Sequence, residues 1–362
     1  MLNKLIEKDI GKTFFRFANA DGKVWIMPCE NMRTAMNLYQ PSGRKGKILK
    51  RFFPFLHRID FVKRVIKAEQ INCQLNAEIK QLFCSLFGVE EIEFSVFCGT
   101  PCVHQKITIQ LSDENQILGY VKASDNEEIA SLFREEARKL KALWEYGVRG
   151  IPQCLFCGTN ENGVHLFVQS TSKTNHSKVL HEWNKLHEDF IEESRIRTQR
   201  TLRFEASDYF TTLQQLREHL DWLPKNVNKD CLVAIMDKTI QSYQGRQVKF
   251  AAYHADFTPW NMFVENGKLF VFDWEYAKMT YPQGLDRYHF FTQTAVFEKH
   301  WEASQIIEYM QSGKGNWIDK ASYSLYLLDV ISRFTVREKG NVNGEVAKSF
   351  QLWMDLLQSI NQ

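Results

Sequence analysis

Apolar positions along this chain follow two different periods, and the order in which they appear outlines its architecture. From Glu91 the pattern alternates with β-branched and aromatic residues, in IEFSVFCGTPCVHQKITIQLSDENQILGYVKAS. That period of two predicts a strand, a turn at Cys98-Gly99-Thr100-Pro101, a strand through Leu111, a turn at Ser112–Asn115 and a third strand over Ile117–Ala123. Over Asn126–Tyr146 the period lengthens to three or four, with Ile129, Leu132, Phe133, Leu140, Leu143 and Trp144, which predicts a helix. Residues 151–172 read as two more strands joined by Thr159–Gly163. Most of 173–248 reads as helical, with Val179, Leu180, Trp183 and Leu186 on one face and Leu213, Leu216 and Leu220 on another. Pro224 interrupts that run and Cys231–Tyr243 resumes it. Helical periodicity returns over 285–311 and 317–361.

Ahead of the alternating block, KTFFRFANADGKVWIMP predicts two short strands about Asn19–Gly22, and Asn31–Tyr39 a short helix stopped before Pro41. Ala68–Phe87 has a helix-like spacing, Ile71, Leu75, Ile79, Leu82, Phe83 and Leu86, and ends at Gly88. Between them, residues 44–67 hold nine Lys or Arg against one Asp, interleaved with Ile48, Leu49, Phe52, Phe53, Phe55, Leu56, Phe61 and Val62. Such a stretch could suit an anionic membrane surface or a polyanion, but the plainer reading is an amphipathic helix pair whose basic face is only solvated.

The densest chemistry sits in residues 249–276, KFAAYHADFTPWNMFVENGKLFVFDWEY. Asn266-Gly267 between apolar, β-prone flanks predicts a hairpin with a two-residue I′ turn, since both residues tolerate positive φ. Folding about that turn places Asn261 opposite Phe272, with Asp273 next along, and cross-strand neighbours lie ~5 Å apart. An amide oxygen and a carboxylate therefore meet at the open end of the hairpin, while Asp256 stands in the loop that feeds it. Asp256 suits the orienting of a hydroxyl and the receipt of its proton, and Asn261 with Asp273 offers the hard oxygen donors that Mg²⁺ prefers. Together they supply most of what phosphoryl transfer asks of a protein. His254, two residues before Asp256, either braces this loop or exchanges protons in it. An Asp-rich turn beside an ordinary hairpin is the bland alternative.

Composition adds bounds. A chain of 362 residues that is 44% apolar and 25% charged can bury a sizeable core, and 13% aromatic residues suit broad core packing or an aromatic-lined pocket. Net charge of +3 is too small to argue for nucleic acid. The eight Cys are scattered, and Cys154-Leu-Phe-Cys157 has no matching pair, so reduced thiols rather than disulfides or a zinc site are expected. No apolar run of membrane-spanning length and no signal-like start is present, which points to the cytoplasm.

The stretch HADFTPWN with FDWEY resembles the catalytic and metal loops of the aminoglycoside phosphotransferase and choline kinase-like families, which share the protein-kinase fold. The resemblance covers roughly residues 90–300 and leaves 1–90 unexplained. It implies an α+β, bilobal fold with a small antiparallel β N-lobe over 91–170, a larger and mainly helical C-lobe over 171–362, and an N-terminal extension over 1–90. It also implies ATP and Mg²⁺ as cofactors, Lys122 on the third strand held by Glu136 of the following helix (with Glu135 as the alternative), and phosphate contact from the turn at Gly99 and Thr100. The backbone at Gln169 would face the adenine edge, Asp256 and His254 would form the catalytic loop, and Asn261 and Asp273 would hold metal. Asp286 takes the place of an Asp that these families carry after the metal loop. The partner implied is a small-molecule hydroxyl acceptor. The Thr-Pro-Trp insertion and Asp-Trp-Glu resemble proteins of surface-saccharide synthesis, whereas Glu-Tyr-Ala is similar to choline kinases. A choline, ethanolamine or aminoglycoside kinase, and a catalytically silent nucleotide-binding scaffold, remain the alternatives.

Overall fold

The alternating segments pair into one antiparallel sheet, while the helical segments gather about a separate core. A computed structural model describes residues 1–41, 43–99, 105–114 and 116–361. They divide into two compact units, the first made of Met1–Trp144, Ile151–Lys178 and Val264–Phe270, the second of Glu145–Gly150, Val179–Phe263 and Val271–Gln362.

The first unit begins with β1 (Ile6–Ala18) and β2 (Val24–Pro28), followed by three helices, α1 (Met32–Ala35), α2 (Arg44–Leu56) and α3 (Asp60–Val65). Next come β3 (Glu69–Leu75), α4 (Ala77–Phe87), β4 (Glu93–Phe97), β5 (Ile107–Asp113) and β6 (Gln116–Ser124). Helix α5 (Glu127–Glu145) precedes β7 (Cys154–Thr159) and β8 (His165–Ser170). The eight strands lie in the order β3-β1-β2-β4-β5-β6-β8-β7. Residues 1–90 therefore share one sheet with the strands that follow, joined to them by the pairs Trp25 with Phe97 and Ile26 with Val96.

Alternation along β1 sets the packing on both faces, because successive side chains point opposite ways. Phe14 goes to a core with Ile26, Val96, Val121 and Leu166, whereas Phe15 and Phe17 join Trp25, Met27, Tyr39 and Phe53 under α1 and α2. Gly11 lets β1 bulge against β3: its φ is +83°, and a Cβ there would stand 2.8 Å from the Cys73 carbonyl oxygen.

Two segments differ from the pattern-based reading. Residues 69–75 are a strand, paired through Ile6 with Leu75 and Phe14 with Ile71, and only from Ala77 is the chain helical. A spacing of four between Ile71 and Leu75 fits either period. The boundary is set by Asn76, whose side chain accepts the Ile79 N–H at 3.1 Å. Residues 173–184 are likewise not a helix. Thr174 and Ser177 donate their hydroxyls to Glu265 at 2.8 and 2.5 Å, and Lys178 bridges Val264, so bonds to a strand distant in sequence hold this segment out of a helix.

The second unit is mainly helical. It contains α6 (Lys185–Thr198), which starts where Asn184 accepts the Leu186 N–H at 3.0 Å, then β9 (Arg200–Arg203), α7 (Asp208–Glu218), α8 (Lys229–Tyr243) and β10 (Gln247–Tyr253). A hairpin, β11 (Met262–Glu265) and β12 (Lys268–Val271), has its tip in the first unit and its base in the second. Then follow β13 (Lys278–Pro282) and four helices, α9 (Leu285–Phe297), α10 (Ala303–Gln311), α11 (Lys320–Glu338) and α12 (Gly344–Asn361). Strands β13, β10 and β9 form a small sheet that the periodicity does not reveal. Helix α11 is the axis of the core: Tyr323, Leu327, Leu328 and Ile331 are buried among Tyr209 and Leu213 of α7, Met236 of α8 and Leu357 of α12.

Candidate active site

Strand β10 delivers the chain directly to His254. There the backbone turns sharply, with Ala255 at φ +69°, and the turn is pinned by Asp286 in the first turn of α9. The Asp286 carboxylate accepts the N–H groups of His254 at 3.1 Å and Ala255 at 3.2 Å. Burial pushes the Asp286 carboxyl up to about 7, against those two N–H bonds. The buried His254 ring is fixed at both nitrogens. Its Nδ1 accepts the Asp256 N–H at 3.1 Å, so its Nε2 carries the proton and donates to the Phe272 carbonyl at 3.0 Å. Burial lowers the His254 pKa to about 4, which keeps the ring neutral at physiological pH.

Asp256 is thereby held at the foot of the hairpin. One of its oxygens faces His289 Nε2 at 3.1 Å, and the other accepts from Asn261 Nδ2 at 2.7 Å. Burial works against the Asp256 charge, but the His289 hydrogen bond and the nearby His289 and Arg333 outweigh it and bring the carboxyl below its ordinary range. Asp256 is ionised at neutral pH as a result, and its carboxylate is oriented by two donors.

The hairpin adopts the expected register. Asn266 and Gly267 have φ of +50° and +74°, as an I′ turn demands, and Phe272 N–H donates to the Asn261 carbonyl at 2.9 Å. Asn261 is buried, and its amide nitrogen is spent on the Asp256 carboxylate and carbonyl, which turns its amide oxygen the other way. Asp273 follows immediately, in a left-handed conformation at φ +68° that a non-glycine residue keeps only when its surroundings impose it. Asp273 also raises the proton affinity of Asp256. One amide oxygen and one carboxylate at the hairpin base, beside a second carboxylate, make a donor set that fits Mg²⁺.

Behind this loop lies a polar network that no short motif announces. Tyr253 and Tyr281 donate their hydroxyls to Asp329 at 3.0 and 2.8 Å, and Arg333, one turn along α11, stands 3.7 Å from the same carboxylate. Burial works against the Arg333 charge, yet Asp329 and the neighbouring acids hold it firmly protonated. Its guanidinium lies over the Tyr276 ring at 5.6 Å. Trp274 is 2% exposed; its indole N–H donates to the Val271 carbonyl and its ring packs on His254 at 4.5 Å. His289 was legible only as the i+3 neighbour of Asp286 on one helix face. Arg333 and Asp329 are more than fifty residues from the loop that holds His254 and Asp256 and left no local signal.

The remaining expected residues belong to the first unit. Lys122 on β6 donates to Glu136 Oε2 of α5 at 2.7 Å, with both side chains buried, and its ammonium lies 5.6 Å from the Phe167 ring centre. The alternative, Glu135, is instead exposed and paired with Arg138. Gln169 is buried on β8. Gly99 has φ +78°, and a Cβ there would stand 2.2 Å from the Lys106 carbonyl oxygen, so only glycine fits. Thr100 lies outside the described residues. Cys154 and Cys157 are free, and burial raises the pKa of both thiols, Cys154 to about 12.

The sequence profile of the phosphotransferase enzyme family matches residues 176–283, a span that contains His254, Asp256, Asn261 and Asp273. Among solved structures, a thermostable mutant of aminoglycoside phosphotransferase APH(4)-Ia in its apo form superposes with a TM-score of 0.51 at 12% identity, over 77% of this chain and 98% of that one. A further variant of that protein, in ternary complex with ADP and hygromycin B, gives a TM-score of 0.51 at 12% identity, over 78% and 99%. Choline kinase LicA from Streptococcus pneumoniae gives 0.45 at 13% identity, over 78% and 98%. No curated protein matches the chain in sequence. The resemblance read from the two loops is borne out by this match, and the fold is the α+β kinase-like one, with an N-lobe sheet and a helical C-lobe.

Proposed function

We propose that this chain, which resembles the phosphotransferase enzyme family and carries its match over the catalytic and metal loops, is an ATP- and Mg²⁺-dependent kinase of a small hydroxyl compound. The observation that carries the reading is the ionised Asp256 held by Asn261 and His289 at the base of a hairpin whose next residue past Phe272 is Asp273.

Asp256 accepts the hydrogen bond of the acceptor hydroxyl, aims its oxygen at the terminal phosphate, and receives the proton as the new ester bond forms and the bond from the γ-phosphorus to the bridging oxygen breaks, releasing ADP. A loose transition state asks for placement more than for a strong base, which agrees with a carboxyl held below its ordinary pKa. Asn261, through its amide oxygen, and Asp273 are the residues to hold Mg²⁺, which when bound neutralises charge on the phosphate oxygens. Lys122, kept in place by Glu136, is the residue to grip the nucleotide phosphates. His254, with both nitrogens on backbone groups, positions the loop rather than exchanging protons.

For the acceptor, the reading favours a saccharide over a quaternary amine. A cationic acceptor calls for open aromatic faces. Here Trp274 is packed away and Tyr276 already faces the guanidinium of Arg333, a cation that repels another. The test is ADP release from Mg-ATP across neutral sugars, sugar acids, choline and aminoglycosides. Stimulation by a saccharide is the expected result. Stimulation by choline alone would overturn the choice of acceptor, and no stimulation by any compound, with Mg-ATP bound, would leave the silent scaffold as the better reading.

A further inference from the structure

We propose that α2 and α3 form a docking face for an anionic lipid bilayer, independent of the phosphotransfer chemistry. A helix pair that merely covers its own unit turns its apolar side inward and its charged side to water. Helix α2 does that with Leu49 and Phe53, four residues apart, which face Phe15, Phe17 and Tyr39; Phe53 is 1% exposed. It then presents a second apolar stripe. Ile48, Phe52, Phe55 and Leu56 recur at the spacing of one helix face, and all are exposed, Phe55 by 73%. Helix α3 repeats the arrangement: Val62 and Ile66 pack inward, while Phe61 and Val65 are 74% and 64% exposed. Single exposed apolar residues are ordinary on a protein surface, but successive outward turns of Phe, Ile, Leu and Val mark a face that something covers.

The charge on these helices selects the occupant. Nine Lys or Arg stand against Asp60 alone over residues 44–67. On the helical wheel Arg44, Lys47 and Arg51 flank the outward stripe of α2, and the Arg51 guanidinium lies 5.6 Å from the Phe52 ring centre. Long basic side chains bordering an apolar ridge can reach lipid phosphates while the ridge enters the acyl boundary. A second copy of the chain is disfavoured, because the same positive face would meet itself. Nucleic acid would use the charges and leave the phenylalanines in water. At thirteen residues α2 is too short to span a bilayer and would lie in its surface, and among the described residues no helix is long and apolar enough to cross one.

The experiment is flotation of the full chain with vesicles of phosphatidylcholine alone, and of phosphatidylcholine with roughly one-third phosphatidylglycerol. The expected result is binding to the anionic vesicles only, weakened by salt. Phe55→Ser with Phe61→Ser should weaken it at least about ten-fold, and Lys47→Glu with Arg51→Glu at least about thirty-fold, each with an unchanged thermal midpoint since all four side chains are exposed. Three results overturn the proposal: no binding to anionic vesicles, binding that survives the serine pair, or a dimer in solution that the serine pair converts to monomer. Binding of duplex DNA that competes with vesicles and is indifferent to the serine pair would also overturn it, in favour of a polyanion site.

Discussion

The Asp286 carboxylate caps the turn at His254, and burial moves the two pKa values in opposite directions, His254 down to about 4 and Asp286 up to about 7. Each makes a definite contribution to acid stability. A histidine whose folded pKa lies below its ordinary 6.5 stabilises the fold above that pH and loses the contribution as pH falls toward 4. A carboxyl whose folded pKa lies above its ordinary 3.8 does the reverse: its contribution is complete below that value and disappears as pH rises through 7. We predict that His254→Gln makes the acid-side fall of the thermal midpoint between pH 6.5 and 4 shallower, and that Asp286→Asn makes it steeper. Calorimetric scans across that window check both; equal slopes in the three proteins would mean that these groups titrate alike folded and unfolded. The candidate site was legible at this scale where one short segment holds it. Asp256, Asn261 and Asp273 fall within eighteen residues around a turn whose chemistry fixes the register. His289, Asp329 and Arg333 reach the loop from α9 and α11, and tertiary packing leaves no spacing rule for such partners.

At the scale of elements, the hairpin and the Lys122–Glu136 pair carry the arrangement. Gly267 sits at φ +74° with nothing within 4 Å of a Cβ, so Gly267→Ala adds strain without a clash. The expected cost is ~1–2 kcal/mol, read as a lower thermal midpoint. If the turn sets the Asn261–Phe272 register, Mg-dependent turnover should fall as well. A variant as stable and as active as the parent would show that the turn does not position the metal donors. Lys122→Met takes the lysine from a fully buried Glu136 and should cost ~3 kcal/mol or more. The pair Lys122→Met with Glu136→Leu should recover most of that stability and still fail to use ATP. Recovered turnover in the double variant would remove the nucleotide role of Lys122. The strands from Glu93 to Ser170 and helices α5 and α8 were legible because each keeps one period; the runs 285–311 and 317–361 were legible as helical, but not their division into α9 with α10 and α11 with α12. Residues 69–75 were not, because Ile71 and Leu75 satisfy both periods. Residues 173–184 were not either, because Thr174 and Ser177 bond to Glu265, 91 and 88 residues away in sequence, at the expense of a helix.

The whole molecule comprises two compact units, each with its own apolar core, one built on β strands and one on helices. Chains of this kind depart from a single all-or-none transition, so the calorimetric enthalpy of unfolding should exceed the van't Hoff enthalpy. A ratio of one would mean that the units unfold as a single cooperative body. The fold class followed from the resemblance of the two loops, with which strand-rich sequence ahead of helix-rich sequence agrees. The way residues 1–75 enter the sheet did not, because pairing between β2 and β4 is a long-range choice that the intervening helices hide. Function at this scale reduces to whether Asp256 directs phosphate from ATP to an acceptor hydroxyl, and the most direct measurement is acceptor-stimulated ADP release by the parent and Asp256→Asn proteins at matched thermal midpoints. The account predicts that the variant keeps its fold and binds Mg-ATP but releases ADP about 10²–10⁴-fold more slowly. Equal rates from the two proteins would contradict it.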